Sequence, residues 1–470
     1  MKKMLLLVLV LSQFLPVSTG FAQTSSDSKL KILPKFHALV EENAQLRDRV
    51  DALEKALGEI NQKLNEQPAA APAPAAPEKA KAPEKPSLKS KYNLDLYGYM
   101  KLDLAWDSSR TDTTGNYARW ALSEAVVPKN DRQFNQTINQ TRFGVNFAGP
   151  QAGRAKVSGK YEVDLYGGAV ENSPMIRTRH AYFQVDWPGE LSLLMGQTWD
   201  LIGPEIPNTL NYTAAWWTGN IGFRHPQLRL TKAFKAGSNK LVLAVAASRK
   251  VGDASTFDNT ANGVTDTGAD SGSPAFQGRI GYTFPTGKNL KSTIGVWGHA
   301  GNDEYDFNAL NNHRTIRSSS LGADVNMAFS KTFQLKGEIW QGQNLDEYVG
   351  GVGQGIIVTS ASGTYVNNAA FGGAFLNAEA LKSQGGWVEL NVGPFQKWRY
   401  NIGLSVDNPD DDKLPNLTGR TLNRSRWLNT MYDLNEAVQI GAEYLHVETD
   451  YKNQARGDDS RFQLSFIYKF

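Results

Sequence analysis

Residues 462–470 read FQLSFIYKF and form the stretch that decides the fold. Successive side chains of a β-strand point to opposite faces, so this stretch has one almost wholly apolar and aromatic face. That face carries Phe462, Leu464, Phe466, Tyr468 and Phe470. We predict that it faces lipid as one strand of a closed barrel, in which no strand edge stays unpaired. The alternative is the last strand of a soluble β-sandwich.

The same alternation recurs along residues 92–470, and the first predicted strand shows it clearly. One face of residues 93–106 is apolar and includes Leu94, Leu96 and Met100. The other face carries Asp95, Tyr97, Tyr99, Lys101 and Asp103. Carboxylates and a lysine opposite an aliphatic face indicate a wet interior, as in barrels that span membranes.

The connections between these strands alternate between long and short, which fixes the expected strand number. Eight long and seven short connections predict sixteen strands, with the short turns on the periplasmic side. We therefore expect an all-β transmembrane fold, an antiparallel outer-membrane barrel of about sixteen strands preceded by a short periplasmic coiled-coil helix. The long connections are expected at residues 107–135, 167–175, 198–222, 250–274, 301–315, 343–383, 408–422 and 450–458.

The first residues indicate export. Lys2 and Lys3 precede an apolar run at residues 4–15, and Ala22 closes a small-residue cleavage site, so residues 1–22 are predicted to be a signal peptide. The run is too short to span a bilayer as a helix. The sequence has no Cys and therefore no disulfides, and its formal charge of +3 argues against a nucleic-acid partner. The predicted location is the Gram-negative outer membrane.

Residues 29–66 are predicted to form a coiled coil. Apolar residues recur every seven positions from Ile32 to Ile60, and a second series follows each by four positions. Asn43 is a polar seam residue that sets register, while Arg49 and Glu54 match a pattern of three-stranded coiled coils. The alternative is a lone amphipathic helix on a surface. The sequence does not identify what this periplasmic helix contacts.

Residues 67–91 form a Pro-, Ala- and Lys-rich linker, because their composition favours an extended chain and builds no core. Residues 92–470 form the pore domain. No metalloprotease, phosphate-loop or nucleophile-elbow motif occurs, so we expect no enzyme, catalytic residue or cofactor. The six His show no ligand spacing, and no metal is predicted.

Basic side chains on the polar parity of their strands are the candidates for selectivity. A guanidinium holds a carboxylate through two parallel hydrogen bonds, and basic rings at a narrow point favour anions. The alternative for each is pairing with a wall carboxylate. The candidates are Lys101, Arg142, Lys160, Arg229, Arg279 and Arg399.

The connection at residues 198–222 is the expected constriction loop, because it is long, follows the predicted fifth strand and is rich in Trp. The alternative is an ordinary exposed loop. Asp200 and Glu205 are expected to give this loop negative charge, and the tryptophans Trp199, Trp216 and Trp217 are expected to anchor it against the wall. A separate role falls to Phe466, Tyr468 and Phe470, which are expected to mark the end recognised during membrane insertion.

Several short motifs resemble those of the DcaP-like outer-membrane porins. They are LYGYMKLD at residues 96–103, RHAYF at 179–183, GQTW at 196–199 and PNTL at 207–210, within a chain of similar organisation. The resemblance implies homotrimers of sixteen-stranded barrels that admit small anions, including dicarboxylates, within outer-membrane lipid and lipopolysaccharide.

Other functions stay open at this point. Porins of the sucrose type also carry an N-terminal coiled coil, and Tyr97, Tyr99, Trp216 and Trp217 suit sugar stacking. A barrel enzyme or an envelope tether that works through the coiled coil are further alternatives. The pattern favours a passive pore for small anions, because neither a clustered nucleophile nor a cell-wall domain is evident.

Overall fold

The computed structural model describes residue 55 and residues 92–470 apart from 112–116, 129, 169–172, 250–256, 260–263, 267–270, 307–312, 361–364 and 368–374. The predicted signal peptide and linker, together with Asn43, Arg49 and Glu54 of the coiled coil, lie outside the described residues. No helix in the described part of the chain is long and apolar enough to cross a membrane.

The described chain is built from strands, with one short 3-10 helix at Asp346–Tyr348. In chain order the first eleven strands are β1 (Asn93–Asp107), β2 (Gln133–Thr137), β3 (Arg142–Ala148), β4 (Lys156–Asp164), β5 (Arg177–Trp187), β6 (Leu191–Trp199), β7 (Arg224–Ala236), β8 (Asn239–Ser248), β9 (Phe257–Asn259), β10 (Val264–Asp266) and β11 (Ala275–Gly287). The others are β12 (Leu290–Asp306), β13 (His313–Ala328), β14 (Phe333–Gln343), β15 (Ile356–Ser360), β16 (Tyr365–Asn367), β17 (Phe375–Ala380), β18 (Lys382–Phe395), β19 (Trp398–Pro409), β20 (Arg420–Asp433), β21 (Val438–Tyr451) and β22 (Gln454–Lys469).

The main sheet is antiparallel and closes on itself. On one side β1 pairs with β22, from Tyr99 opposite Lys469 to Asp107 opposite Arg461. On the other side β1 pairs with β3 and then with β2, which together form one interrupted strand of the wall. The remaining neighbours follow in chain order from β4 to β22, with β9–β10 and β15–β17 outside the ring. The predicted sixteen-stranded barrel is confirmed.

Between β2 and β3 a side chain supplies the hydrogen bonds to β1 that the backbone does not make. Thr141 accepts a hydrogen bond from the Lys101 backbone N–H at 3.1 Å and donates to the Lys101 carbonyl at 3.3 Å. A hydroxyl thus takes over both backbone bonds that the partner strand lacks there. The ladder has no unsatisfied polar group at this position, as a wall strand within a membrane requires.

Side chains alternate between an apolar outer face and a polar inner face. Leu96 is 74% exposed on the outside, whereas Ser465 inside is 0% exposed. Aliphatic and aromatic side chains are exposed around the whole ring, and no second layer covers them in the described chain. Lipid is the solvent that such a belt requires, which excludes the sandwich alternative. The belt includes Met100, Phe143, Phe183, Leu228, Val245, Ile280, Val296, Leu321, Ile339, Leu404, Leu428 and Phe466.

The alternation of long and short connections holds except at two positions, where connections predicted to be long are short. β21 ends at Tyr451 and β22 begins at Gln454, so the loop expected at residues 450–458 is a two-residue turn. Likewise β12 and β13 extend over most of residues 301–315. These strands project beyond the apolar belt, where charged residues such as Glu448 replace aliphatic ones and hide the strand pattern. The connection at 343–383 contains β15–β17 as a separate sheet.

Candidate functional site

The connection between β6 and β7, residues 200–223, folds into the barrel interior and is called the inner loop here. Three wall carboxylates on different strands bind its backbone N–H groups. Glu338 of β14 accepts from Glu205 at 2.7 Å, and Glu389 of β18 accepts from Asn208 at 3.0 Å. Glu443 of β21 accepts from the backbone N–H groups of Leu210 and Asn211 at 2.6 and 3.0 Å. These bonds join the loop to three strands of the wall and so fix it across the lumen.

Two of these three wall carboxylates also accept a hydrogen bond from an indole ring. Trp387 donates its Nε1–H to Glu338 at 3.2 Å, and Trp427 donates to Glu389 at 2.9 Å. Each carboxylate therefore bridges a wall tryptophan and the inner loop. The indole N–H groups of Trp387 and Trp427 thus help to orient the carboxyl oxygens that bind the loop.

The other end of the inner loop lies directly on the wall. The Gly219 carbonyl accepts from Trp340 Nε1 at 2.6 Å. Gly219 has φ +134°, and a Cβ there would lie 2.2 Å from the Gly386 carbonyl oxygen. Only glycine permits both this conformation and this close approach. Gly219 is thus the sequence feature that lets this end of the loop lie against the wall inside the lumen.

Asp200 is fully buried at the base of the loop and does not face water, contrary to the expectation that it adds negative charge to the constriction. It accepts from His225 Nδ1 and from the Phe223 N–H at 2.9 Å each, and from Gln277 at 2.8 Å. Burial opposes ionisation of the Asp200 carboxyl, but His225 and these donors outweigh it and hold its pKa below the usual value. Asp200 is therefore an anchor of the loop.

Glu205, the other acidic residue predicted for the constriction, is hydrogen-bonded to the barrel wall. Its carboxylate accepts from Asn326 Nδ2 at 3.0 Å. Burial raises the pKa of Glu205 above its usual value, although the nearby Lys336 opposes the shift. Glu205 is therefore a hydrogen-bonded group of the loop and not a free negative charge.

A cluster of arginine side chains from β3 and β5 faces the inner loop and binds two carboxylates of β4. Arg179 binds Glu162 at 2.7 Å and Asp164 at 3.0 Å, while Arg177 binds Asp164 with two bonds of 3.0 and 2.7 Å. Arg142 approaches Glu162 at 3.5 Å. Here three guanidinium groups share two carboxylates, so the cluster carries excess positive charge.

Tyr212 of the inner loop lies in the positive environment of this cluster. Arg177 donates a short hydrogen bond to its hydroxyl, and its ring stacks on Tyr166 with centroids 3.9 Å apart. Burial raises the pKa of the Tyr212 phenol, but Arg177, Arg224 and Arg179 more than compensate and hold it below the usual value. A buried phenol with a lowered pKa requires a strongly positive environment.

Arg224 is the least compensated of these cations. It is 1% exposed, and neither Nη1 nor Nη2 has a hydrogen-bond partner. Its guanidinium lies 4.4 Å from the ring centroids of both Trp199 and Phe223, and Arg179 lies 5.8 Å from the Trp199 ring. Aromatic faces stabilise the cation without neutralising it. Arg224 lies at the loop end of β7.

Two of the basic residues predicted for selectivity lie close to this cluster, and one lies beneath the loop. Lys160 is 3.8 Å from Glu162 and lies over the Tyr97 ring, and Arg142 lies over Tyr99. Lys101 is buried because the inner loop covers it, and its Nζ binds the Leu210 carbonyl at 2.6 Å. The expectation that Lys101 faces water is therefore wrong.

The other three candidates lie apart from the cluster. Arg229 donates to Gln227 at 2.9 Å and to the Trp199 carbonyl. Arg279 forms a two-bond pair with Asp324 at 3.1 and 2.7 Å. Arg399 binds Asp433 at 2.7 and 2.6 Å. For Arg279 and Arg399, pairing with a wall carboxylate describes the structure.

The predicted constriction tryptophans pack together inside the barrel. Trp216 is buried against Trp199, Tyr212 and Phe223. Trp217 contacts Trp216 at 6.3 Å between ring centroids, and Arg119 lies 4.9 Å from the Trp217 ring. Ring faces covered in this way are not free to stack on a sugar.

The predicted insertion residues lie on the lipid side. Phe466, Tyr468 and Phe470 are exposed on the outer face, and Phe470 exchanges backbone hydrogen bonds of 3.0 and 3.1 Å with Gly98 of β1. The outward parity assigned to them is thus confirmed, and their role in insertion stays a prediction.

Sequence reasoning missed Arg177, Arg179, Tyr212 and Arg224. Arg179 lies within one of the family-like motifs but was not singled out, because a bulge between β4 and β5 turns both Arg179 and His180 inward and breaks the alternation. Arg224 was missed because it lies where the loop joins the strand. Only the packing of the loop shows that it is buried without a hydrogen-bond partner at Nη1 or Nη2.

Comparison with known proteins places the barrel among solved channels. The outer membrane channel DcaP of Acinetobacter baumannii matches with a TM-score of 0.61 and 18% identity, over 81% of this chain and 98% of that chain. OmpF of Salmonella typhi, in complex with daunomycin, matches with a TM-score of 0.51 and 14% identity, over 80% and 97%. No family model and no curated protein sequence matches. These likenesses show the fold, a sixteen-stranded barrel of the kind that DcaP has.

Proposed function

We propose that this chain is an outer-membrane porin for passive diffusion of small hydrophilic solutes, with a preference for small anions. The observation that carries the preference is Arg224, a buried guanidinium whose terminal nitrogens have no hydrogen-bond partner beside an inner loop that crosses the lumen. The fold supports the channel, since barrels of this size enclose a polar interior.

The distribution of charge along the inner loop supports anions over cations. On the β4–β5 side, basic side chains outnumber carboxylates. On the opposite wall, Glu338, Glu389 and Glu443 bind backbone N–H groups of the loop and are covered by it. Carboxylates that are shielded in this way contribute less to the field in the lumen than partly exposed cations such as Arg142 and Lys160. Clustered arginines at a narrow point select anions.

Small dicarboxylates are the proposed preferred solutes. Arg142 and Arg177 are each about a quarter exposed and lie at the two ends of the cluster, on either side of the buried Arg179. Guanidinium groups bind carboxylates through two parallel bonds, and a wet site lets them go again. Two such groups suit a solute with two carboxylates better than a monovalent one.

Assembly and location belong to the same proposal. A lipid-facing belt and an exported chain support residence in the outer membrane, in contact with its lipid and lipopolysaccharide. The three-stranded pattern around Arg49 and Glu54 supports a homotrimer with its coiled coil in the periplasm.

Reversal potentials in a planar bilayer test the preference. Under a KCl gradient the protein is expected to show the sign of chloride selectivity, and Arg224→Ala is expected to reduce the potential. Arg399→Ala is the matched control, since Arg399 is also an inward arginine but pairs with Asp433 away from the loop. A cation-selective potential in the unmodified protein contradicts the proposal. Faster liposome swelling with disaccharides than with small organic anions of similar size favours the sugar-porin alternative instead.

A further inference from the structure

A polar cluster lies on the outer surface of the barrel, beyond the apolar belt. β21 carries Tyr444, His446 and Glu448 on its outer parity, and β22 carries Ser460 and Asp458 opposite them. Tyr444 is the last large apolar group of the belt on β21, and the next two outward positions are ionisable. A histidine buried between two carboxylates on the outer face of the wall requires an explanation.

His446 is unusually well buried for a histidine on the outer face of the barrel. It is 8% exposed, and its Nδ1 lies 3.0 Å from Ser460 Oγ. Its Nε2 is buried and has no hydrogen-bond partner. That nitrogen points at Glu448 Oε1, 3.8 Å away, and at Asp458 Oδ2, 3.4 Å away. A buried polar atom without a partner costs free energy, so a native structure usually supplies one.

The three atoms have the separation of metal ligands. They lie within 4.8 Å of one another. Zinc binds imidazole nitrogen and carboxylate oxygen at about 2.0–2.2 Å, which places tetrahedral ligands about 3.3–3.6 Å apart. The two distances from Nε2 are at or slightly above this range and too long for good hydrogen bonds. We propose that His446, Glu448 and Asp458 form a site for a divalent transition metal, for which zinc is the probe.

The surrounding contacts match those of a metal site. Histidine ligands usually fix their second nitrogen through a hydrogen bond, and Ser460 provides it, with its hydroxyl in turn 3.0 Å from the Tyr444 hydroxyl. Arg424 holds Glu448 Oε2 at 2.9 Å, which leaves Oε1 directed toward His446. Arg456 lies 3.5 Å from that Oε1 but has a closer partner in Asp450, at 2.5 Å.

Two nearby arginines favour a metal that binds imidazole over one that depends on carboxylate charge. Arg424 and Arg456 offset the carboxylates, so the charge alone does not attract a cation strongly. Hard cations such as Ca²⁺ depend on carboxylate charge and take oxygen ligands, whereas zinc gains from the imidazole. A polar cavity of about 410 Å³ next to Asp458 and Arg456 gives a path for the ion; it is also lined by Ser108, Ser109, Glu124 and Asn130.

Calorimetric titration with ZnCl₂ tests the site, using the full-length protein in detergent after removal of any affinity tag. We expect saturable binding of one zinc per chain that Ca²⁺ in tenfold excess does not displace. His446→Ala is expected to abolish it, and Ser460→Ala to weaken it about 10- to 100-fold, the usual effect of removing an orienting partner.

His299→Ala is the matched control, since both ring nitrogens of His299 already face serine hydroxyls, at 2.6 and 2.9 Å. It is expected to leave zinc binding unchanged. Asp458→Asn, which keeps the shape of the side chain, guards against misfolding of the alanine variant and is expected to weaken binding at least tenfold. Absence of zinc binding, equal binding of Ca²⁺, or full binding by both His446→Ala and Asp458→Asn overturns the proposal.

Discussion

Both carboxylate oxygens of Glu389 lie 3.0 Å from the backbone nitrogen of Asn208 and accept its hydrogen bond. This contact joins the barrel wall to the middle of the inner loop, and Glu338 and Glu443 repeat it on two other strands. The position of the loop is therefore determined by wall carboxylates and not by packing alone. Carboxylates that point into a lumen need not serve selectivity.

Removing two of these acceptors should release the loop. In Glu389→Ala combined with Glu443→Ala, the backbone N–H groups of Asn208, Leu210 and Asn211 lose their carboxyl acceptors, each bond being worth about 0.5–1.5 kcal/mol. We expect noisier single-channel currents and a higher mean conductance. Asp186→Ala is the control, because Asp186 is an inward carboxylate that binds only Gln184 and Ser192 of the wall. Equal effects of the double variant and the control would show that the clamp does not hold the loop.

Shortening the inner loop should widen the channel directly. Excision of residues 204–207 removes the segment that bears Glu205, together with its bonds to Glu338 and Asn326. We expect a higher single-channel conductance in a barrel that still folds and migrates as the unmodified protein does. Unchanged conductance in such a variant would assign the narrowest point to another loop.

Charge on the lipid face should cost more than charge on the inner face. Phe466 is exposed on the outer face of β22, and Lys or Arg near the bilayer midplane costs about 2–4 kcal/mol. We expect Phe466→Lys to lower the amount of folded protein in the membrane fraction. Ser158→Lys is the control, since Ser158 shares the inward parity of Lys156 and Lys160 on β4. Equal yields of both variants would contradict the assigned faces.

Deletion of residues 25–86 should leave the oligomer intact. The linker is predicted from its Pro-rich composition to be extended, and such a linker would not transmit a fixed geometry from the predicted coiled coil to the barrel. Contacts between barrel walls are therefore expected to suffice. Native electrophoresis and chemical cross-linking of the truncated protein should show trimers. A truncated protein that runs only as a monomer would assign trimerisation to the coiled coil.

Much of the barrel follows from local pattern, whereas the lumen does not. Alternation along β22 gave both the lipid parity and the strand itself, because period-two burial is a property of each strand alone. Ser465 shows the limit of this reasoning. Its inward parity suggests a wet position that tolerates change, yet the serine is 0% exposed and bonds Asp103 and Gln463. Only the loop that fills the interior accounts for its burial.

The roles of charged residues were the least predictable part. Parity singled out Arg279 and left out Arg224. In the structure Arg279 pairs with Asp324, whereas the terminal nitrogens of Arg224 have no hydrogen-bond partner. Such differences depend on which strands are neighbours and where a loop docks, and neither is encoded at the position itself. His446 is a similar case, because its two carboxylate neighbours come from positions 448 and 458.

Tyr212 should make the anion preference dependent on alkaline pH. Its phenol is neutral below its pKa and negative above it, and the surrounding arginines lower that pKa, so the phenolate forms at a lower pH than in an ordinary tyrosine, whose pKa is about 10. Because the phenolate neutralises part of the charge of Arg177, Arg179 and Arg224, chloride selectivity should fall as the pH rises through this range. Reversal potentials measured from neutral to alkaline pH check this. Tyr212→Phe should keep its selectivity until the lysines lose their charge, and parallel profiles for both proteins would contradict the role of Tyr212.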